Sequence, residues 1–269
     1  MRISEAITLL REAGIDSARH DARQIFIYFA GFRIEELLAE DVDSQSDELL
    51  SAIRRRCQRE PLQYILGEVS FYKENYTVTP DCLIPRADTE ILVDYAIKNI
   101  PQGEQFIDLC TGSGCIAIST LKNTNNTRAI AVDVSDGALA IAKTNAKKNG
   151  VCDRLELILA DVKEKAIGDK VFAVLSNPPY VTDTEYESLE PEIYYEPKLA
   201  FVGGEDGLDF YRRTLELYKN RIKTEGFFAF EIGCEQGPLI SRIASEHKMS
   251  SQILQDLGGR DRVAILKHL

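Results

Sequence analysis

Tryptophan is absent from this 269-residue sequence, methionine occurs twice and histidine three times, and none of the six cysteines belongs to a C-x-x-C pair. Zinc sites need Cys or His ligands at short, clustered spacings. Cys57, Cys82, Cys110, Cys115, Cys152 and Cys234, with His20, His247 and His268, offer no such cluster, so no metal site is expected. Unpaired thiols suit a reducing compartment, and a cytoplasmic protein is the expectation. Long apolar runs are missing too. The longest, residues 25–32, is interrupted by Gly31 and falls far short of the ~20 residues of a membrane helix. A secretory leader is not expected, because Arg2 is the only nearby cation and Glu5 breaks any apolar core. A surplus of positive charge is also lacking: 32 Lys and Arg against 43 Asp and Glu give a net −11. That balance argues against nonspecific nucleic-acid binding, which needs cations to neutralise phosphates. It leaves a local basic patch and basic protein partners open. What is present, 44% hydrophobic and 8% aromatic residues, describes a packed globular chain. Its length allows one large domain, or one of ordinary size with a smaller companion.

Periodicity divides the chain. Over residues 1 to about 60, Ser4 is placed to cap a helix with Ile7 and Leu10 on one face. Ala22, Ile25, Phe26 and Phe29 repeat at helical spacing, and Leu49, Leu50, Ile53 and Cys57 line a further helix that Pro61 ends. Residues 69–79 carry β-formers on either side of Glu74-Asn75 and predict a hairpin. From Gln105 onward strand-like runs appear at 105–110, 128–133, 155–160, 171–176 and 226–232, with helical segments at 116–122, 137–149, 207–223 and 237–247. Such alternation predicts a parallel sheet with helices on both faces. Two further strands, 252–256 and 262–267, are joined by five residues only. That link is too short for a parallel crossover, so these two must be antiparallel. The expected organisation is an N-terminal helical domain over 1–68, a linker hairpin over 69–84 and an α/β domain over 85–269. The α/β domain has a seven-stranded, mostly parallel sheet with the last strand reversed.

The first strand of that sheet runs into Asp108-Leu109-Cys110-Thr111-Gly112-Ser113-Gly114. Glycines at 112 and 114 let the backbone turn sharply and approach a ligand, and the next helix opens with free N–H groups aimed at the same place. Alone, such a turn is weak evidence of a nucleotide-like ligand. Its context strengthens it. The second strand ends in Asp133, where a carboxylate accepts both ribose hydroxyls of an adenosyl group. The third ends in Asp161-Val162, an acid for the adenine amino group and an apolar cover for the ring. Each acid alone reads better as an ordinary strand-end or helix-cap aspartate. Three successive strands ending in glycine turn, acid and acid do not.

The fourth strand ends in Ser176-Asn177-Pro178-Pro179-Tyr180. Two prolines terminate a strand, since they donate no ladder hydrogen bond, and termination alone is the plain alternative. Chemistry accounts for the whole tetrapeptide. An amide or aromatic amine nitrogen is a poor nucleophile because its lone pair is delocalised. Acceptors on its two N–H bonds hold it with the lone pair aimed at an electrophilic methyl. The Asn177 side-chain oxygen and the Pro178 carbonyl are candidates for these acceptors, with Tyr180 packing on the planar group. No strong base is needed, because the methylated nitrogen becomes acidic enough to lose its proton to solvent.

D-x-x-T-G-S-G followed by N-P-P-Y resembles the seven-stranded class I methyltransferases, of Rossmann-like fold, that act on amide or exocyclic nitrogen. Ile84-Pro85-Arg86-Ala87-Asp88-Thr89-Glu90 is similar to a segment of the HemK/PrmC family, as are Tyr195-Glu196-Pro197, Gly203-Gly204-Glu205-Asp206-Gly207-Leu208 and Glu231-Ile232-Gly233. The order of helical front, hairpin and methyltransferase domain is similar too. The resemblance implies S-adenosylmethionine as cofactor and, as substrate, the glutamine of a Gly-Gly-Gln motif in peptide chain release factors. It implies a substrate-docking role for the front domain. Cofactor contacts are implied for Cys110, Thr111, Gly112, Ser113, Gly114, Asp133, Val162 and Asn177, and substrate contacts for Asn177, Pro178, Pro179 and Tyr180. Two residues depart from the family pattern: Cys110 stands where glycine is common, and Ala87 where proline is common.

Three other features stay open at this level. Arg54, Arg55, Arg56 and Arg59 read as a solvated helix end or as a docking patch. Asp183, Glu185, Glu187, Glu190 and Glu192 read as a solvated loop or a lid. Tyr194 and Tyr195 either pack or flank an entrance. A DNA or RNA amino-group methyltransferase is the alternative function, but it would bring a base-recognition domain or a basic surface. No direct nucleic-acid substrate is therefore expected, no membrane association, and a monomer suffices. A dinucleotide-dependent oxidoreductase or a nonenzymatic nucleotide-binding module shares the glycine turn and leaves Asn177-Pro178-Pro179-Tyr180 unexplained.

Overall fold

The computed structural model describes residues 1–38 and 42–269, which form two compact units. One comprises Met1–Glu68 with Glu190–Tyr195, the other Val69–Leu189 with Glu196–Leu269. In the first, α1 (Ile3–Glu12), α2 (Ala18–Ala30), α3 (Asp47–Cys57) and the short α4 (Leu62–Leu66) enclose one core, with Leu10, Ile25, Phe26, Leu49 and Ile53 fully or almost fully buried. Two local expectations need correction. Ser4 does not cap α1; the cap is Arg2, whose backbone N–H donates to Glu5 at 2.8 Å. Pro61 does not end α3, which stops at Cys57, but opens α4, where a fixed φ and a missing N–H do no harm.

The arginine run is not a solvated face either. Arg56 is buried and donates to Asp21 at 2.7 Å and to Glu192 at 3.0 Å, while Arg59 donates to Glu192 at 2.7 Å. Arg55 pairs with Glu60, leaving Arg54 as the exposed member. A buried guanidinium without a partner is costly. Arg56 therefore fixes Glu192, and the Tyr195 hydroxyl adds a bond to the Gln58 carbonyl at 2.7 Å. These contacts explain why residues 190–195 belong to the helical unit.

From Val69 of β1 (Glu68–Phe71) onward, the second unit contains β2 (Glu74–Thr77), α5 (Glu90–Asn99), β3 (Gln105–Leu109), α6 (Cys115–Lys122), β4 (Arg128–Asp133), α7 (Asp136–Asn149), β5 (Leu155–Leu159) and β6 (Val171–Ser176). It continues with α8 (Asp183–Tyr186), α9 (Asp209–Tyr218), β7 (Ile222–Glu231), α10 (Gly237–Glu246), β8 (Met249–Gln255) and β9 (Asp261–His268). The seven-stranded sheet has the order β5-β4-β3-β6-β7-β9-β8. Only β9, the last strand, runs against its neighbours. Successive strand residues alternate between two cores: Phe106 and Phe227 on one face, Ile107 and Phe228 on the other. The chain leaves β3 towards β4 on one side and returns to β6 on the other. The crevice at that switch is where open α/β sheets place ligands.

The hairpin turns at Tyr72-Lys73, two residues earlier than expected, with Tyr72 in the left-handed region (φ 57). Glu74 is therefore a strand residue. Its buried carboxylate accepts from the Ser119 hydroxyl at 2.8 Å and from Asn123 at 3.1 Å, which docks β2 on α6. The helix expected over 207–223 is shorter, because β7 starts at Ile222 and pairs with β6 from Val171 onward.

Candidate active site

The turn after β3 is made by backbone conformation. Cys110, Gly112 and Gly114 all have positive φ, at 58, 55 and 81. The departure from glycine at 110 thus falls on a left-handed position, at a cost of about 1 kcal/mol for a residue with a Cβ. The two glycines serve different ends. Nothing lies within 4 Å of a Cβ added at Gly112, whereas one at Gly114 would press on Ile118 and Ala142, where α6 packs on α7. Behind the turn sits Asp108, fully buried. One of its oxygens accepts from the Thr111 hydroxyl at 2.6 Å and from the Ala117 N–H at 3.2 Å, and the other has no partner among the described residues. Burial pushes its carboxyl up to about 7. Asn145 on α7 donates to the Ser113 carbonyl at 2.9 Å and to the Thr77 carbonyl at 3.0 Å, tying the turn to the hairpin.

Asp133 grips the turn from β4. Its two oxygens accept one backbone N–H each, Gly112 at 2.8 Å and Ser135 at 2.9 Å. A carboxylate has about four lone-pair sites, so both oxygens retain capacity for a ligand. Burial raises its pKa, and the backbone N–H groups of Ser135, Gly112 and Val134 oppose that. Asp161 accepts from the Lys163 N–H at 2.8 Å, and Val162 is buried beside it.

A cavity of about 280 Å³ lies over these strand ends. Of the residues proposed from sequence, Cys110, Gly112, Asp133, Asp161, Val162, Asn177 and Pro179 line it. Thr111, Ser113, Gly114, Pro178 and Tyr180 do not; the first three belong to the turn, and Pro178 is buried. Sequence reasoning missed the segment Asp81-Cys82-Leu83 and, after the helical loop, Leu199 and Phe210, all of which wall the same cavity. No spacing signal marks them, because none is at a strand end: Asp81-Cys82-Leu83 and Leu199 lie in connections, and Phe210 in the first turn of α9.

Asn177-Pro178-Pro179-Tyr180 is held by distant side chains. Asn177 donates through Nδ2 to the Thr89 hydroxyl at 3.3 Å, and Thr89 donates to Glu231 at 2.5 Å. Tyr180 packs against the second core, and its hydroxyl donates to Glu231 at 3.5 Å. Desolvation raises its pKa far above the ordinary value, so it stays neutral. Gln236 donates to the Tyr180 carbonyl at 3.1 Å. A Cβ on Gly203 would collide with the Pro179 carbonyl, and one on Gly207 with the Tyr180 carbonyl. These glycines are needed for close approach.

The Pro-Arg segment finds its purpose here too. Arg86 donates to Glu196, whose other oxygen accepts from the Ile84 N–H at 2.9 Å. Burial pushes the Glu196 carboxyl up, and Arg86 opposes it. Asp88 pairs with Arg262 at 3.1 Å, and Glu90 accepts from the Tyr72 N–H at 2.7 Å. Ala87 opens a single 3₁₀ turn at 87–89.

A seven-stranded sheet with its last strand reversed, a glycine turn after β3, an acid ending β4 and another just after β5 define a class I methyltransferase. A ribosomal protein L11 methylase from Lactobacillus delbrueckii subsp. bulgaricus has the same fold, with a TM-score of 0.53 and 17% identity over 71% of this chain and 84% of that one. Residues 3–67 match the PrmC N-terminal domain and residues 87–193 the methyltransferase small domain. The chain is 35% identical to a release factor glutamine methyltransferase of Geobacter sulfurreducens, over 94% of this chain and 91% of that protein. It is 34% identical to one of Moorella thermoacetica, over 97% and 95%. The chain belongs to the release factor glutamine methyltransferase family. That membership sets aside the oxidoreductase reading. No helix among the described residues is long and apolar enough to cross a membrane.

Proposed function

We propose that this enzyme methylates the side-chain amide nitrogen, N5, of the glutamine in the Gly-Gly-Gln motif of peptide chain release factors, with S-adenosylmethionine as donor. One observation carries the reading: Asp133 at the end of β4, Asp161 after β5 and, across β3, Asn177 and Pro179 after β6 wall one cavity. The lining fits an adenosyl group. Asp133 keeps acceptor capacity for ribose hydroxyls, Asp161 for the adenine amine, Val162 offers an apolar face, and the space over Gly112 is open. S-adenosylmethionine, when bound, supplies an electrophilic methyl on sulfonium sulfur. The Asn177 Oδ1 and the Pro178 carbonyl accept the two amide N–H groups and hold the nitrogen with its lone pair directed at that methyl. The proton leaves to solvent.

Glutamine alone offers too few hydrogen bonds to select one protein among thousands. The helical front unit is the surface that selects the whole release factor, and a monomer is enough. A labelled-methyl assay on release factor, its Gln→Glu variant, DNA and RNA tests this reading. Label should enter the release factor alone, since a carboxylate has no N–H to present. Equal labelling of DNA or RNA would instead favour the nucleic-acid alternative.

A further inference from the structure

Glu231 ends β7 as a buried side chain that touches two motifs. One oxygen accepts from the Thr89 hydroxyl at 2.5 Å, the other from the Tyr180 hydroxyl at 3.5 Å. Thr89 has a single hydroxyl proton, and it is committed to Glu231. Towards Asn177 the same oxygen is therefore an acceptor only, and the Asn177 Nδ2 donates to it at 3.3 Å. An amide whose nitrogen is held on one side turns its oxygen to the other. We propose that Glu231 and Thr89 are positioning residues that fix the amide orientation of Asn177, so that its oxygen and not its nitrogen meets the substrate N–H. This rests on the substrate role given to Asn177 above.

Charge sets the direction of the relay. A carboxylate can only accept, so the chain of donors runs from Asn177 through Thr89 to Glu231. A protonated Glu231 can donate to Thr89, which frees the hydroxyl proton for Asn177 and lets the amide turn over. Donor would then face donor. The groups around Glu231 are Asp88, which opposes its ionisation, Arg262, which favours it, the neutral hydroxyls of Tyr180 and Tyr211, and the Cys115 thiol. Burial is the largest influence and pushes the carboxyl up to about 7. The productive direction is thus held above that pH and lost below it.

The test uses the full-length enzyme with release factor as substrate, S-adenosylhomocysteine titration as the binding control, and Thr89→Val, Thr89→Ser and Glu231→Gln. Thr89→Val should lower kcat roughly 10- to 100-fold, the range that follows loss of a group orienting a functional one. KM for release factor and the S-adenosylhomocysteine affinity should change little, and Thr89→Ser should restore kcat. In the wild type kcat should fall on the acid side of about pH 7. Glu231→Gln, whose side chain does not titrate, should lack that limb. This second measurement decides the matter even where Thr89→Val fails to fold. A wild-type kcat in folded Thr89→Val, or an acid limb retained in Glu231→Gln, would overturn the relay alone. A wild-type enzyme that binds S-adenosylhomocysteine yet leaves release factor unmethylated would overturn the relay and the functional reading together.

Discussion

The two walls of the cavity are built by different means. On the proposed cofactor side, most contacts are made at the strand ends themselves: Thr111 to Asp108, Asp133 to Gly112 and Ser135, Asp161 to Lys163, with Asn145 of α7 a tie from further along the chain. Backbone turns and sheet order do most of the work there. On the Asn177 side, partners come from far along the chain, Thr89 being 88 residues from Asn177 and Gln236 56 from Tyr180. A wall made of backbone tolerates exchange of side chains, as Cys110 in place of glycine illustrates. A wall made of a side-chain network should not.

The sharpest way to break this contrast is Asn177→Ala. If Asn177 positions the reacting nitrogen, turnover should fall roughly 100-fold or more, as when a transition-state hydrogen-bonding group is lost. The fold should survive, since the residue lies at the cavity surface. Near-normal transfer by a folded variant would end the positioning role.

Asp133→Ala tests the other wall, with a somewhat smaller effect. Loss of a charge-assisted hydrogen bond of roughly 1.5–3 kcal/mol should weaken cofactor binding about 10- to 150-fold. The effect should appear in titration with S-adenosylhomocysteine, while kcat at saturation changes less. Unchanged isotherms would remove Asp133 from the site.

Asp108 separates support from contact, and its signature is pH dependence. Its folded pKa, about 7, lies above its ordinary 3.8. Folded protein therefore keeps a proton that unfolded chain releases, and stability falls as pH rises from about 4 to 7. The slope from this group is at most about 1.4 kcal/mol per pH unit. Glu231 adds the same sign between its ordinary 4.5 and about 7. Asp108→Asn should flatten urea-unfolding midpoints across that window by the Asp108 share, with the contributions of Glu231, Asp133 and Glu196 remaining. Parallel curves for variant and wild type would show that Asp108 is ionised when folded.

Legibility followed the same division. The ends of β4 and β6, the glycine turn and the acids at the ends of β4 and β5 could be read directly, because each depends on a few neighbouring residues. The position of the hairpin turn could not, since a tyrosine at φ 57 leaves no mark in sequence. Nor could the fate of the arginine run, because Arg56 is neutralised by Asp21 and Glu192, 35 and 136 residues away. The Pro-Arg segment was visible only as a resemblance. Its physical meaning, that Arg86, Asp88, Thr89 and Glu90 each hold a different distant partner, is a property of the folded chain.

Cys110 carries the smallest expected effect and the cleanest test of the contrast. Its side chain lines the cavity while its backbone sits at φ 58. Cys110→Gly relieves a left-handed cost of about 1 kcal/mol. It also gives the unfolded chain extra freedom worth roughly 0.4–1 kcal/mol and removes some buried surface. These contributions nearly cancel, so stability should move by less than about 1 kcal/mol. S-adenosylhomocysteine affinity should hardly change, because the turn is already in the conformation glycine prefers. Cys110→Val must behave otherwise, since a β-branched side chain at positive φ is strongly disfavoured. It should lose both stability and cofactor affinity as the turn opens. Glycine near wild type and valine far from it would place the contribution of residue 110 in its backbone. A large loss of affinity in Cys110→Gly would mean that the thiol itself contacts the ligand. The cofactor wall would then depend on a side chain as closely as the Asn177 wall does.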